Sequence, residues 1–427
     1  MTSANVLALF GGAPVRTRPF QVWPQFGWEE FGALSDVLES RRWGGIHNGS
    51  QGESFESALA RYLGAPHVSS VSSGTAGLMI ALRALGVGPG DEVVVPALTY
   101  VATATAVSLV GGVPVFADID PDTHTLSGSS LEAALSERTK AVICVHLGGH
   151  PADMDSLGIV AAAHGIPLIE DCAQSLGASW NGIRAGALGT IAAFSFATTK
   201  NITAGEGGAV VTHNAGLAAR VASLRDHGRP PRSPHGHHEL GWNLRLSEFQ
   251  SALLRVQLGR LDQHLAAKEK SAVYLSSSLS GIPGLRLVPP PAAIDPRVTA
   301  HARFSFAFTL DGETADDSVG TVSPDAFRRA LRAEGIPVSI RPLTACPDEP
   351  LYADPTSRDH SPSRTSAAAQ ARTACASLVL LGQAAGSGIL LDDPTELADV
   401  VRAVEKISDN RNHLRQHPPT PPVSPAH

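Results

Sequence analysis

A run of short apolar segments between about Val68 and Val211 limits the possible folds more than any other feature of the chain. The segments are rich in Val, Ile and Ala, each is bounded by Gly, Pro or Asp, and helical patterns lie between several of them: DEVVVPALTYV, GVPVFADID, TKAVICVHL, GIPLIEDCA, GTIAAFSF and GGAVVTHN. Strands that are apolar on both faces and alternate with helices are typical of parallel sheets. The sequence therefore predicts an α/β fold with a mostly parallel sheet between helices.

The second half of the chain indicates where this large domain ends. A long helical pattern runs from Leu246 to about Leu279, and the stretch GIPGLRLVPPPAAIDP then interrupts it. Strand-like and helical patterns that follow are typical of a smaller α+β domain. We predict a large domain with an N-terminal arm over residues 1–279, a small C-terminal domain over 280–410, and a disordered Pro-rich tail over 411–427. Within the small domain, segment 352–368 is predicted to be an exposed insertion.

Composition excludes several classes of function. The formal net charge is -7, so the chain lacks the basic surface that nucleic acid needs. We predict no membrane span, because no apolar run reaches about 18 residues, and the N-terminus does not match a secretory signal. The cysteines lack CxxC spacing and are predicted to be reduced thiols of a cytoplasmic protein: Cys144, Cys172, Cys346 and Cys375.

Lys200 stands between two segments that look buried, in FSFATTKNITAGEGGAVV. An amine that is held out of water has a lowered pKa and becomes nucleophilic enough to form a Schiff base with an aldehyde. The alternative is a lysine whose aliphatic stem packs while its ammonium reaches water. The neighbouring motifs favour the first interpretation.

Asp171 is predicted at the C-terminal end of a strand, where open α/β sheets bind their ligands. A carboxylate at this place can keep a pyridine nitrogen protonated, although capping of the next helix is an alternative role. Gln174 follows after about one turn. It can contact the phenolic oxygen of such a ring, or it can be an ordinary polar residue of a first turn.

A phosphate group needs donors, and the chain has no GxxxxGK[ST] loop. Gly74 and Thr75 begin a predicted helix and offer backbone N–H groups, a hydroxyl and the positive end of the helix dipole. Ser195 adds a second hydroxyl, with ordinary capping and turn chemistry as the alternative for all three. Tyr100 can stack on an aromatic cofactor or lie in the core. Together with Lys200, these residues form the set that pyridoxal 5′-phosphate (PLP) requires.

Six successive segments resemble the motifs of the DegT-type sugar aminotransferases, which are PLP enzymes of fold type I: SSGTAGL, PALTYVATA, VHLGGHPADMD, EDCAQSLGA, FSFATTKNITAGEGGAVV and GWNLRLSEFQSALLRVQL. The resemblance covers roughly residues 20–270 closely and the small domain loosely. It implies a seven-stranded mixed sheet between helices, a small C-terminal domain, and a homodimer with shared active sites.

The resemblance also implies a role for each candidate residue. Lys200 bonds to the PLP aldehyde and moves the proton, and Asp171 pairs with the pyridine nitrogen. The remaining cofactor contacts are the ring hydroxyl, the ring face and the phosphate, and they are assigned to Gln174, to Tyr100, and to Gly74, Thr75 and Ser195, in that order. Asn243, in GWNLRL, reaches the phosphate of the neighbouring subunit's cofactor.

The opening LALFGGAPVRTRPFQVWPQFGWEEFGALSDVLESRRWGG resembles the branch of the family that acts on keto-cyclitols, and the aminohydroxybenzoate synthases share this opening. The expected reaction moves an amino group from L-glutamine or L-glutamate to a keto-cyclitol or keto-sugar of aminocyclitol antibiotic synthesis. Alternatives are a nucleotide-keto-sugar aminotransferase, an aminohydroxybenzoate synthase-like enzyme and a non-catalytic sensor. The chain departs from the branch in the insertion 352–368 and in segment 377–391, which lacks the histidine that is common there.

The loop HGRPPRSPHGHHELGW carries several histidines and arginines. His235, His237 and His238 lack a supporting carboxylate or cysteine frame, so we predict no metal site and a loop beside the neighbouring active site. The arginines can contact a donor carboxylate or a phosphorylated acceptor, or remain solvated loop charges: Arg229, Arg232 and Arg245.

Overall fold

The computed structural model describes residues 6–44, 50–230, 236–290, 294–310, 322–339, 343–356, 361–382 and 387–417. The helices are α1 (Trp28–Ser40), α2 (Gln51–Leu63), α3 (Gly74–Ala84), α4 (Ala102–Leu109), α5 (Gly128–Ala134), α6 (Met154–Ala163), α7 (Ala215–Leu224), α8 (Glu248–Leu279), α9 (Pro324–Ala333), α10 (Pro350–Ala353), α11 (Ala369–Ser377), α12 (Pro394–Asp409) and α13 (Arg411–Gln416). The strands are β1 (His67–Val71), β2 (Glu92–Pro96), β3 (Val113–Ala117), β4 (Thr139–Val145), β5 (Leu168–Asp171), β6 (Ser179–Trp180), β7 (Ile183–Arg184), β8 (Ile191–Ser195), β9 (Gly208–Thr212), β10 (Leu285–Val288), β11 (Val298–Ala300), β12 (Phe306–Leu310), β13 (Arg364–Thr365) and β14 (Leu378–Leu381).

The large sheet has the strand order β1-β9-β8-β5-β4-β2-β3-β13. Strand β9 is antiparallel to both of its neighbours, and all other neighbouring strands are parallel. Every residue of β2 is buried, and all but the first, Glu92, are apolar, because helices cover both faces of the sheet. The predicted α/β class with a mostly parallel sheet is confirmed, and seven of these eight strands lie between residues 67 and 212.

Serine caps fix where two of the important helices begin. The Ser73 hydroxyl accepts a hydrogen bond of 3.1 Å from the Ala76 N–H at the start of α3. Ser247 caps α8 in a capping box with Gln250, which closes two otherwise unpaired N–H groups. Serine is a common N-cap residue because its short side chain reaches the unpaired N–H groups of the first turn.

The C-terminal part forms a second apolar core around the antiparallel sheet β10-β12-β14. Phe308 and Phe327 are fully buried there with helices α9 and α12, and each buried aromatic ring contributes about 1.5–3 kcal/mol. The last turns of α8 contribute Leu275 and Leu279 to the same core. Helix α8 therefore contributes to this core and, through Leu254 and Leu261, to a core on the large sheet.

The N-terminal arm packs against the C-terminal unit, although the predicted domain limits assign it to the large domain. Leu7 and Phe20 lie in the C-terminal core, and Glu334 accepts hydrogen bonds from the N–H groups of Ala8 (2.8 Å) and Val15 (3.0 Å). The arm thus contacts the small unit, because its few apolar residues find an open apolar surface there. The division at residue 279 otherwise stays a prediction.

Two segments are more ordered than predicted. In 352–368, Tyr352 is buried against Phe116, and Arg364–Thr365 form β13, which pairs in parallel with β3 and adds an eighth strand to the sheet. Residues 357–360 lie outside the described residues. In 411–427, α13 is helical because Leu414 is buried in the C-terminal core, while 418–427 lie outside the described residues.

A search of the described residues finds no helix that is both long and apolar enough to cross a membrane.

Candidate active site

One cavity of about 620 Å³ lies at the C-terminal edge of the large sheet. It is lined by residues at or after the ends of β2, β4, β5 and β8 and by the first residues of α3. Ligands bind at this edge of open α/β sheets because the strand-to-helix connections all converge there. The cavity brings together most of the predicted site residues: Gly74, Thr75, Tyr100, Asp171, Gln174, Ser195 and Lys200.

Asp171 ends β5 and is only 6% exposed. Its Oδ2 accepts a hydrogen bond from the Thr103 hydroxyl (2.9 Å), and its Oδ1 accepts one from the Ala173 N–H (3.1 Å). Burial raises the pKa of this carboxyl above its usual value, although the hydrogen bonds and the charge of Lys200 oppose that shift. Asp171 thus makes a local turn contact with the Ala173 N–H, but this contact uses only one of its two carboxylate oxygens.

Lys200 follows β8 in a turn, with its N–H bonded to the Ala197 carbonyl oxygen at 2.9 Å. Its Nζ lies 4.7 Å from the centre of the Phe304 ring. Burial lowers the pKa of this amine, and the charge of Asp171 only partly compensates. The described residues form no ion pair with Lys200, and its lowered pKa makes the neutral, nucleophilic amine easier to reach than for a lysine in water.

Gly74 and Ser195 meet where α3 begins beside the end of β8. A Cβ atom on Gly74 would lie 2.7 Å from the Ser195 Cβ, so a side chain at position 74 would displace the neighbouring strand end. Gly74 and Thr75 belong to the first turn of α3, whose N–H groups have no partners within the helix. This corner of the cavity therefore has the donors and the positive dipole end that a phosphate needs.

Gln174 and Tyr100 occupy two other sides of the cavity. The Gln174 Oε1 accepts a hydrogen bond of 2.7 Å from the Gly148 N–H, which leaves the amide N–H groups of Gln174 as donors. Tyr100 is 72% exposed although it lines the cavity. The structure thus excludes the core alternative for Tyr100 and leaves its ring available to a ligand.

Asn243 is not among the residues that line this cavity. It is exposed, forms an isolated bridge with Asp226, and its Oδ1 accepts from the Arg245 Nε at 3.1 Å. Arg229 and Arg245 both contact Asp226, and the His237 Nδ1 lies 2.9 Å from the His227 carbonyl oxygen. Arg232 and His235 lie outside the described residues.

Several residues of the cavity wall are not among those that the sequence indicates. Thr103, Phe304 and the histidines His124, His150 and His301 all line it. His150 stands in the motif VHLGGHPADMD, where the pair of glycines before it could have indicated a close approach of the backbone to a ligand. His124 and His301 carry no local signal, because their elements reach the cavity only through the tertiary fold.

A buried network directly beneath Asp171 joins the strand ends. Glu170 accepts hydrogen bonds from the N–H groups of Gly186 (2.7 Å), Leu188 (2.8 Å) and Gly189 (2.6 Å). His146 accepts from the Ala152 N–H through Nδ1 (3.0 Å), so its proton lies on Nε2, which donates to Glu170 (3.0 Å). The side chains of His146, Glu170 and Cys172 have metal-ligand spacing, but these hydrogen bonds occupy the histidine and the carboxylate, so we interpret the network as structural.

We expect Glu170→Gln to lower the free energy of unfolding by roughly 3 kcal/mol, because an amide N–H₂ would face donors that now meet a carboxylate. Urea denaturation followed by circular dichroism measures the change. Glu132→Gln is the matched control, since Glu132 forms an exposed pair with His164 and its loss should cost less than about 0.5 kcal/mol. Equally small changes in the free energy of unfolding of both variants would show that the buried network does not stabilise the fold to this extent.

The residues present fit PLP, a group with an aldehyde, a ring nitrogen and a phosphate. The desolvated amine of Lys200, the buried carboxylate of Asp171 and the start of α3 at Gly74 are suited to these three parts in turn. The fold and the cavity therefore define a class of protein, the PLP-dependent enzymes of fold type I.

Comparison with known proteins identifies the family. The sequence profile of the DegT/DnrJ/EryC1/StrS aminotransferase family matches residues 24–384. The chain belongs to this family, and it is a PLP-dependent aminotransferase.

Individual relatives match over nearly the whole chain. The L-glutamine:2-deoxy-scyllo-inosose aminotransferase of Streptomyces fradiae is 40% identical, covering 94% of this chain and 97% of the relative. The L-glutamine:scyllo-inosose aminotransferase of Streptomyces griseus is 38% identical, covering 95% of this chain and 98% of the relative. Among solved structures, 3-amino-5-hydroxybenzoic acid synthase superimposes with a TM-score of 0.79 at 31% identity, covering 93% of this chain and 100% of that one.

Gly74→Ala tests the phosphate corner. We expect PLP to bind at least about tenfold more weakly and stability to fall by about 1–3 kcal/mol, because the new methyl group overpacks the contact with Ser195. Titration of the apoenzyme with PLP, followed by absorbance, measures the affinity. The control is Gly259→Ala on α8, where a Cβ atom meets nothing within 4 Å. Unchanged PLP affinity in the Gly74 variant would contradict the placement of the phosphate.

Proposed function

We propose that this enzyme transfers the amino group of L-glutamine to an unactivated keto-cyclitol. The observation that carries the proposal is the charge of the cavity. Among the lining residues that the structure describes, Lys200 is the one lysine or arginine, whereas Asp171, Glu206 and Glu349 contribute carboxylates. A nucleotide diphosphate needs cationic partners, so this lining favours an uncharged polyhydroxylated ring over a nucleotide-linked sugar.

The names of the relatives support the same substrates. The proteins of S. fradiae and S. griseus are named as L-glutamine-dependent aminotransferases of 2-deoxy-scyllo-inosose and of scyllo-inosose. Their similarity to this chain extends over both the sheet and the C-terminal part, which together enclose the cavity. We therefore favour L-glutamine over L-glutamate as the donor, and a role in aminocyclitol antibiotic synthesis.

The roles of the residues follow from their surroundings. When bound, PLP supplies an aldehyde that can carry an amino group and a conjugated ring that can delocalise the electron pair of a substrate carbon. Asp171, fixed by Thr103 and Ala173, keeps its charge opposite the ring nitrogen. Lys200 would bind the PLP aldehyde, and its lowered pKa suits the Nζ to accept the proton of the donor's α-carbon and to hold it for delivery to the cofactor.

The remaining contacts hold the cofactor in place. In this proposal Gln174 donates to the ring hydroxyl through the amide group that Gly148 orients. Tyr100 stacks on the ring, and its exposure in the cavity mouth leaves one face free for this contact. The phosphate is bound by Gly74, Thr75 and Ser195 at the start of α3, where the first-turn N–H groups are available.

The test is a comparison of acceptors with L-glutamine as the donor. We expect the PLP-loaded enzyme to aminate scyllo-inosose or 2-deoxy-scyllo-inosose with a kcat/KM at least about a hundredfold above that for a nucleotide-linked 4-keto-sugar. The diphosphate of the nucleotide sugar would lack two or more charged hydrogen-bond partners in this cavity. Preference for the nucleotide sugar would favour the nucleotide-sugar alternative. An aromatic product from an aminodehydroquinate-like compound would favour the aminohydroxybenzoate type, and no turnover with any pair would favour the sensor.

We further propose a homodimer with shared active sites. Apolar side chains around α1 are unusually exposed, at 71% for Phe26, 87% for Trp28 and 55% for Phe31, and the Phe31 ring lies 5.4 Å from that of Trp28 and 5.9 Å from that of Phe26. Contiguous aromatic surface of this kind is typical of protein interfaces. Asn243, which is exposed and is not part of the described lining of its own cavity, is then available to the partner's cofactor phosphate.

Subunit complementation tests the shared site. A mixed dimer of one Lys200→Ala subunit and one Asn243→Ala subunit contains one unaltered site only if Asn243 acts across the interface. We therefore expect the mixed dimer to recover close to half of the wild-type activity, while each variant homodimer stays impaired. Mixed dimers without recovered activity would indicate that Asn243 acts within its own subunit.

A cytoplasmic location is part of the same proposal, supported by four cysteines that are all free thiols.

A further inference from the structure

Three histidines line the same cavity as Lys200 without taking part in cofactor binding as proposed above. His124 lies in the turn after β3, His150 follows β4, and His301 follows β11. The rings of His150 and His301 meet edge to face, with centres 5.4 Å apart. The three side chains come from separate elements, and the fold brings all three to the lining of one cavity.

His150 is the most unusual of the three. It is only 3% exposed, and neither of its buried ring nitrogens forms a hydrogen bond of standard geometry with a described residue, although the nearby Pro151 backbone partly offsets the lowering of its pKa by burial. A buried polar group without a partner is destabilising. Because the ring lines the cavity, a ligand in the cavity is the group that can supply the missing hydrogen bonds.

The other two rings also have unused hydrogen-bonding capacity. The His301 Nδ1 accepts a hydrogen bond of 2.9 Å from the Arg303 N–H, so the proton of a neutral ring lies on Nε2. His124 is held with a φ of 60°, a backbone conformation that is uncommon for residues other than glycine. Its own N–H bonds to the Asp120 carbonyl oxygen at 2.8 Å, which fixes the turn that presents the ring.

All three rings are neutral near pH 7. Burial, as the largest cause, lowers the pKa of His124 and of His150 to about 4 and lowers the pKa of His301 well below its usual value. A neutral imidazole offers one donor and one acceptor. This combination matches a secondary hydroxyl group, which also donates and accepts, and it lacks the positive charge that attracts phosphate.

We propose that His124, His150 and His301 form a hydroxyl-recognition wall that binds the ring hydroxyls of the acceptor ketone, with His150 as its central contact. The inference rests on the proposed function, since it assigns specificity for that keto-cyclitol. An acceptor ring with several hydroxyls can pair all three imidazoles at once, whereas the single carboxamide of the donor side chain cannot.

The experiment compares His150→Leu and His150→Gln with the wild type on two acceptors, scyllo-inosose and cyclohexanone, which has no hydroxyl groups. We expect His150→Leu to lower kcat/KM for scyllo-inosose at least about tenfold, mainly through KM, and to change that for cyclohexanone less than twofold. His150→Gln, which keeps a donor and an acceptor, should recover part of the loss. An equal loss on both ketones would overturn the inference.

Two further readouts separate recognition from structural damage and from donor binding. The melting temperature of His150→Leu should equal or exceed that of the wild type, since leucine removes a buried unpaired polar group, and a marked decrease would contradict the unpaired state of His150. The half-reaction with L-glutamine alone, followed by cofactor absorbance, should keep its KM for L-glutamine. A KM raised tenfold there would assign the wall to the donor and overturn the inference.

The wild type alone distinguishes failure of the proposed function. If it does not aminate scyllo-inosose but does aminate a nucleotide-linked keto-sugar, the proposed function fails and the inference fails with it. If the wild type aminates scyllo-inosose and the variants lose activity equally on both ketones, only the histidine wall is refuted. His301→Leu repeats the comparison on a second residue, with the same expected contrast between the two ketones.

Discussion

Lys200→Ala is expected to reduce amino transfer at least about a thousandfold, because in the proposed active site one side chain is both the covalent anchor of the cofactor and the group that moves the proton. Single-turnover absorbance with L-glutamine measures the loss, and it removes product release from the comparison. Added methylamine should restore part of the rate, since it replaces the missing amine but not its position.

The control for this variant is Lys270→Ala on α8, an exposed lysine that lies outside the cavity lining. Its activity should stay within about twofold of the wild type, as expected for a surface substitution. Transamination that survives undiminished in Lys200→Ala would mean that another group carries the chemistry.

Asp171→Asn is expected to lower kcat by about 10²–10³-fold, the range found when one preorganised electrostatic contact of an active site is removed. The amide keeps the size of the side chain and loses the charge that Lys200 and the ring nitrogen would face. The cofactor's absorbance maximum should also shift, because the protonation state of the ring depends on this carboxylate.

Thr103→Val provides a graded comparison for Asp171. It removes the hydroxyl that donates to the Asp171 Oδ2, and it leaves the charge in place. Because this hydrogen bond lowers the pKa of Asp171, its loss should raise that pKa further and move the acidic limb of the rate profile to higher pH, with a rate loss of less than about tenfold at the optimum. A Thr103 effect as large as that of Asp171→Asn would contradict the central role of the charge.

The sequence predicts the large sheet and its ligand edge well, because the signals are local. Apolar runs such as that of β2 reflect burial on both faces, and the serines before α3 and α8 set their helix starts within a few residues. Since parallel strands end at one edge, Asp171 and Ser195 are brought together once the strands are recognised.

The remaining features depend on contacts between distant segments. Strand β13 has only two residues, Arg364 and Thr365, and it exists because β3 offers an unpaired edge. Helix α13 is fixed by Leu414 in a core that the tail sequence does not reveal. His124 and His301 approach the cavity only after their turns have packed against the large sheet, so no local pattern indicates them.

The proposed active site requires a bond between PLP and one amine among the five lysines of the chain. Lys268 is the closest competitor, since burial lowers its pKa to about 8 and its Nζ donates to Asn201 beside Lys200. Reduction of the PLP-loaded enzyme with sodium borohydride, followed by proteolysis and mass spectrometry, makes this bond permanent and locates it. We predict the pyridoxyl group on the peptide that contains Lys200; its recovery on Lys268 or on another lysine, or on none, would contradict the proposed active site.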